Sequence, residues 1–128
     1  MVTSFTTLVL GASINPERYS YRAVEALQKR GYKVVAMGIK EGTIGTVPIV
    51  LPLTKLPSIH TISLYLSPKR HKDYLGLITQ LKPQRVIFNP GTENPLFASE
   101  LTRRNIAWEN ACTLVLLSTN QYESNKRK

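Results

Sequence analysis

The 128 residues fit a single domain, and 42% hydrophobic against 20% charged residues exclude a disordered chain. A single cysteine excludes a disulfide framework and a CxxC zinc site, and no apolar run reaches the ~18–20 residues that cross a bilayer. Seventeen Lys+Arg against eight Asp+Glu leave +9, a surplus that calls for an anionic partner.

The lone cysteine and the lack of a secretory leader point to a reducing, cytoplasmic setting. Three basic residues at 126–128 and Glu123 leave residues 123–128 with +2 and residues 1–122 with +7. The expectation is a folded domain over 1–122 and a basic, flexible tail over 123–128.

Thr7–Leu10 is a short apolar run stopped by Gly11-Ala12-Ser13, the pattern of a buried strand ending in a tight turn. Asn15-Pro16 extends the loop, because a residue before proline avoids the helical region. Tyr21, Val24 and Leu27 then recur at helical spacing, with Ser20 as the expected N-cap and Gly31 as the C′ glycine. Lys33–Met37 is a second strand closed by Gly38, completing a strand–helix–strand unit.

Breaks at Gly42, Gly45, Pro48, Pro52 and Pro57 leave 40–58 too interrupted for a full crossover helix. A short extended piece near Val47–Val50 and a helical turn near 53–56 are expected there. Thr61–Leu66 is the third strand. Ser67-Pro68 then signals a helix start, followed by the stripe Tyr74, Leu77, Ile78 and Leu81. Arg85–Phe88 is the fourth strand, ending at Asn89-Pro90-Gly91. Asn94-Pro95 opens another helix, with Asn105 as its stop, and Ile106–Trp108 is the fifth strand. Thr113–Leu117 is apolar, and periodicity leaves strand and closing helix both open. The expected fold is α/β: a Rossmann-like, doubly wound parallel sheet of about five strands in one three-layer domain.

Open α/β sheets bind ligands beyond the carboxyl ends of their strands. That edge holds Gly11, Ala12, Ser13, Gly38, Lys40, Lys69, Arg70, Pro90 and Gly91. Lys69 and Arg70 occupy a first helical turn, where a cation is unfavourable by ~0.3–1 kcal/mol. With Lys40, Arg18 and Arg22 they make five cations around one edge, a placement that suits a phosphorylated ligand. The first loop lacks GxGxxG, and no acid ends the second strand, which counts against NAD. Lys40 there suits a ribose phosphate, as in NADP or coenzyme A.

Leu8–Ser13 with Asn15-Pro16-x-Arg18-x-Ser20-Tyr21, Phe88–Asn94 and the late Cys112 resemble the small stand-alone CoA-binding proteins of Rossmann type. These are related to the CoA-binding part of succinyl-CoA synthetase. The resemblance covers about residues 6–118 and implies CoA, or a related nucleotide, at the carboxyl edge. It implies Gly11, Ala12 and Ser13 at the pyrophosphate with Arg18, Ser20 and Arg22 nearby. Gly38 and Lys40 would lie near the ribose phosphate and adenine, and Pro90, Gly91 and Asn94 on the pantetheine side. Many members close the third strand with Phe-Arg, where this chain has Leu66-Ser67 followed by Lys69-Arg70.

Catalysis needs a base or nucleophile held by a partner, and none is visible. His60 reads as structural or exposed, and His71 as surface-exposed. Cys112 reads as a small buried hydrophobe, the sharper alternative being a mixed disulfide with CoA. The expectation is a binding module for CoA or an acyl-CoA, with no catalytic or metal residues. An NADP-binding oxidoreductase or redox sensor is the first alternative and a nucleic-acid binder the second. The cations sit at ligand loops instead of forming one stripe, so nucleic acid is disfavoured. The partner is a small nucleotide with no membrane, and Leu114–Leu117 makes a homodimer conceivable.

Overall fold

The computed structural model describes residues 5–52 and 55–123. In chain order the elements are β1 (Thr6–Leu10), α1 (Tyr19–Lys29), β2 (Lys33–Met37), β3 (Gly42–Ile44), β4 (Val47–Val50) and β5 (Thr61–Leu64). A 3₁₀ segment (Pro68–Tyr74) leads into α2 (Leu75–Leu81), followed by β6 (Arg85–Phe88), α3 (Pro95–Arg103), β7 (Trp108–Asn110) and α4 (Thr113–Ser118).

The strands form one sheet in the order β3-β4-β2-β1-β5-β6-β7. Every neighbouring pair is parallel except β3 with β4. The count is seven where five strands are expected from the sequence. The two additions are a hairpin: Ile44 faces Val47 across the Gly45-Thr46 turn, and Gly45 supplies the φ of +61° that the turn requires. Gly45 and Pro48 therefore belong to a hairpin, the latter on an exposed position of β4. β1 is buried over its whole length and lies at the centre. From it the chain proceeds to β2 on one side and later to β5 on the other.

Alternate residues of the strands feed two cores. Leu8, Leu10, Ile62, Leu64, Val86 and Phe88 pack with Ile78 of α2 and with Phe97, Ala98 and Leu101 of α3. Val9, Ala36, Ile49 and Ile87 pack with Val24 and Leu27 of α1 and with Leu116 and Leu117 of α4. A parallel sheet needs both faces covered, because its strands are joined by crossovers that lie on those faces. The segment 113–118, open between strand and helix in the sequence, is helical and belongs to the second core.

Three boundaries differ from the sequence reading. The α1 N-cap is Arg18, not Ser20, because Arg18 N–H bonds the Asn15 carbonyl and winds the chain two residues earlier, which buries Ser20. The strand expected at Ile106–Trp108 lies at Trp108–Asn110. Asn105 turns the chain at φ +60°, and Ile106 tucks into the first core instead. The third parallel strand of the reading ends at Leu64, two residues early, and the helix after Ser67-Pro68 begins as 3₁₀. Of the helical turn expected near 53–56, residues 53 and 54 lie outside the described residues, and 55 and 56 are not helical. The tail expectation falls mostly on 124–128, also outside them.

The amino edge of the sheet is closed by a polar and aromatic cluster. The Tyr122 hydroxyl and Thr7 Oγ1 share a buried hydrogen bond of 2.5 Å. Arg85 donates to the Tyr122 carbonyl at 2.6 Å and to Thr61 Oγ1 at 3.0 Å, and its guanidinium lies over the Tyr122 ring. Arg85 also pairs with Glu109 at 3.4 Å. His60 stacks on Phe5 with ring centroids 3.9 Å apart. Burial and the Arg85 charge hold the His60 imidazole below its ordinary pKa. Tyr122→Phe leaves the fully buried Thr7 hydroxyl without its partner and is expected to cost ~1–3 kcal/mol. A urea titration checks this, and an unchanged midpoint would contradict it.

Candidate functional site at the carboxyl edge

Because β2, β1, β5 and β6 are parallel neighbours, the loops that follow them emerge along one edge. β2 and β5 lie on opposite sides of β1, so this edge carries the switch in strand order where such folds form a crevice. The expected residues Gly11–Ser13, Gly38–Lys40, Lys69–Arg70 and Pro90–Gly91 follow these strands. Arg18 and Arg22 flank the start of α1.

The first loop is held by backbone bonds. Gly11 and Ala12 N–H both donate to the Met37 carbonyl, at 3.0 and 2.9 Å, and Gly11 adopts φ +98°. Beneath it, Tyr65 N–H bonds the Leu10 carbonyl at 2.8 Å. A Cβ on Gly38 would lie 2.4 Å from the Ala12 carbonyl oxygen, so the loops after β1 and β2 touch backbone to backbone. Ser13 Oγ accepts from Asn15 N–H and Asn15 Oδ1 from Glu17 N–H, shaping the chain into α1. The extended Arg18 N-cap contributes no side-chain hydrogen bond, and the first turn of α1 holds no acid.

Arg18, Arg22, Lys40 and Lys69 are exposed and Arg70 is half-buried. Among the described residues none of the five forms an ion pair; the pairs present are Arg85–Glu109, Arg103–Glu100 and Arg104–Glu100. Arg22 instead lies over the Tyr19 ring at 5.5 Å. Ser20 is buried in α1, so its hydroxyl does not open onto this edge.

His71 is a correction to the sequence reading, which placed it on the surface: it is 1% exposed. Its Nε2 lies 2.9 Å from the Leu66 carbonyl, which can only accept, so Nε2 carries the proton. Nδ1 is then free to accept from Asn94 Nδ2 at 3.1 Å. Asn94 Nδ2 also donates to the Pro68 carbonyl, and Asn94 Oδ1 caps α3 by accepting from Phe97 N–H. The imidazole, buried between Phe88 and Phe97, thus pins the end of β5 to the start of α3. It is held below its ordinary pKa, chiefly by burial. The polar atoms of Asn94 are engaged in these bonds, which joins two loops of the edge.

The sequence reading also missed a polar knot behind the edge. Asn89 Oδ1 accepts from Thr113 N–H at 2.8 Å, while Nδ2 donates to Ser63 Oγ and the Leu64 carbonyl, both at 3.0 Å. Ser63 Oγ and Thr113 Oγ1 are 2.7 Å apart. These bonds tie β5, β6 and α4 together. Beside them the buried Tyr65 hydroxyl makes no hydrogen bond of good geometry among the described residues, and burial pushes its pKa up to about 12 against the lowering effect of the nearby Ser63 and Thr113 hydroxyls. Cys112 is half-buried at the N-cap of α4, instead of fully within the core. Only the Asn in Asn89-Pro90-Gly91 signals this knot in the sequence, and its loop setting hides it.

Gly91, at φ +93°, has open space where a Cβ would stand. Among the described residues there is no cluster of His, Cys, Asp or Glu able to hold a metal, and no helix is long and apolar enough to cross a membrane.

Two outcomes follow for stability. Gly38→Ala sets a methyl against a backbone oxygen and is expected to cost ~1–3 kcal/mol, read as a lower Tm; an unshifted Tm would contradict the close contact. His60 and His71 both have lowered pKa values in the folded state. As pH falls through ~6.5 the unfolded chain takes up protons that the folded chain refuses, so stability present above that pH declines below it. Urea midpoints at pH 7.5, 6.5 and 5.5 should fall in that order, and less steeply in His71→Gln. Equal midpoints at pH 7.5 and 5.5 would refute the assignment.

A model of the CoA binding domain family matches residues 6–118. The crystal structure of an uncharacterized protein is 35% identical, with a TM-score of 0.84, covering 94% of this chain and 99% of that one. A Thermus thermophilus structure shares the fold at 21% identity and TM-score 0.81, covering 91% of this chain and 90% of its own. An acetyl-coenzyme A synthetase of Ca. Korarchaeum cryptofilum, solved with phosphate and ADP, aligns at 15% identity and TM-score 0.64. That alignment covers 79% of this chain and 23% of the synthetase. No curated protein sequence matches. With the family model spanning nearly all of the fold, the chain belongs to the CoA-binding domain family.

Proposed function

We propose that this protein binds CoA or an acyl ester of CoA along the carboxyl edge, as a binding module without catalytic machinery. The observation that carries the reading is the set of cations around that edge, Arg18, Arg22, Lys40, Lys69 and Arg70, none of them ion-paired among the described residues. Like charges gathered without counter-charges repel one another, and a polyphosphate relieves that repulsion. The uncapped start of α1 adds unpaired N–H groups and the positive end of the helix dipole.

In this reading Gly11, Ala12 and Ser13 meet the pyrophosphate, with Arg18 and Arg22 beside it. Lys40, following Gly38, meets the ribose phosphate, while Pro90 and Gly91 border the pantetheine. Ser20 contributes its backbone at the helix start, and Asn94 holds the loops in place. Bound CoA supplies a thiol that carries acyl groups. No observation favours NADP over CoA.

Isothermal titration tests the reading. CoA is expected to bind, and 3′-dephospho-CoA to bind about tenfold more weakly, a difference of ~1.4 kcal/mol. Lys40→Ala should narrow that gap. Absence of binding by CoA refutes the proposal; equal affinity for the two ligands removes the role given to Lys40.

A further inference from the structure

Two segments assigned to the ligand meet at His71 and Asn94: the turn that carries Lys69 and Arg70, and the loop with Pro90 and Gly91 that leads into α3. Asn94 Nδ2 donates to the Pro68 carbonyl at 3.2 Å and to His71 Nδ1 at 3.1 Å, while Asn94 Oδ1 accepts from Phe97 N–H at 3.1 Å. The other end of that loop is fixed separately, because Thr92 N–H and Oγ1 both donate to the Asn89 carbonyl. A carbonyl only accepts and a backbone N–H only donates, so these partners leave the Asn94 amide one orientation. It cannot turn over without losing Pro68 and Phe97 together. His71 is equally fixed, since its Nε2–H is committed to the Leu66 carbonyl and Nδ1 is left as the acceptor.

A proton on His71 contradicts this arrangement. Both nitrogens of an imidazolium donate, so Nδ1–H would confront the Asn94 NH2 group. Relief requires the amide to turn, which aims Nδ2 at Phe97 N–H and takes the donor from the Pro68 carbonyl, or to withdraw, which breaks the same two bonds. We infer that His71 is a positioning residue for the ligand: its unprotonated imidazole aligns the Lys69–Arg70 turn with the Gly91 loop, and one proton there lowers affinity for CoA. This rests on the CoA reading above and adds to it a regulation by pH. The ring is buried against Phe88 of β6 and Phe97 of α3. Its own segment carries Lys69, Arg70, Lys72 and Asp73, and Glu93 ahead of α3 accepts from Gly91 N–H. β6 carries Arg85, paired with Glu109, and α3 carries Glu100, paired with Arg103 and Arg104. Burial opposes the proton, and the Leu66 carbonyl favours it less strongly. Affinity is therefore full above the ordinary imidazole range and declines as pH falls through the lower pKa of the folded state.

NMR pH titration of the two histidine rings in the full chain, with and without saturating CoA, tests the inference. Linkage is reciprocal: if the proton weakens CoA about tenfold, CoA lowers the His71 midpoint by about one pH unit. Phosphates that merely sat near the ring would raise that midpoint by attraction, so the sign of the shift decides. A fall of about one unit is expected at His71 and none at His60, which lies at the amino edge. An unchanged or raised His71 midpoint, or a shift shared equally by His60, refutes the inference while the CoA reading stands. So does a His71 that stays unprotonated until the chain unfolds in acid. If CoA does not bind at pH 7.5, the CoA reading fails and this inference with it. Calorimetry of His71→Asn, whose Oδ1 offers Asn94 an acceptor that does not titrate, provides a second measurement. The affinity of the wild type relative to this variant should drop about fivefold between two pH units above the His71 midpoint and one below it. A constant ratio, in which the phosphates' own titration cancels, would overturn the role given to His71.

Discussion

β1 is paired along its length with β2 and with β5, and all five of its residues are buried. A strand in this position sees a hydrophobic layer above and below and has no solvent-facing side, which is why Leu8, Val9 and Leu10 run without alternation. The chain leaves β1 through α1 to β2 on one side, and reaches β5 on the other side only later, from β4, so the switch in strand order falls at the carboxyl end of β1. The loop at Gly11 and Ala12 is held there between Tyr65-Leu66 after β5 and Gly38 after β2. The cations, the α1 start and the Gly38 contact are arranged around it.

The two edges of the sheet contrast in chemistry. At the amino edge, Arg85 has its hydrogen bonds and ion pair met by Thr61, Glu109 and the Tyr122 carbonyl. At the carboxyl edge Arg18, Arg22, Lys40, Lys69 and Arg70 form no ion pair among the described residues. A positively charged protein therefore has one edge where charge is paired within the fold and one where, under the proposed function, it would meet the phosphates of a ligand. The buried groups at the carboxyl edge, His71 and Asn89, act inside the structure and do not compete for that ligand.

Much of this was legible from local signals. The apolar runs ending in glycine marked the central parallel strands, and Gly31, Asn94 and Asn105 marked helix ends through their own backbone or capping chemistry. Of the hairpin, the extended piece at Val47–Val50 was legible, but Gly42 and Gly45 read as breaks and hid β3, which pairs only with β4. His71 was misplaced because a histidine amid Lys69, Arg70 and Lys72 looks solvated. Its burial depends on Phe88, Phe97 and Asn94, 17 or more residues away in sequence.

The double hydrogen bond from Gly11 and Ala12 to Met37, closed over by Gly38, bears on the energetics of recognition. A loop already fastened to its neighbour has few conformations to surrender when a ligand arrives, so little ordering entropy opposes association. The same rigidity makes this part of the edge selective by shape: it can reject a ligand whose phosphates do not suit the existing backbone, but it cannot mould itself to one.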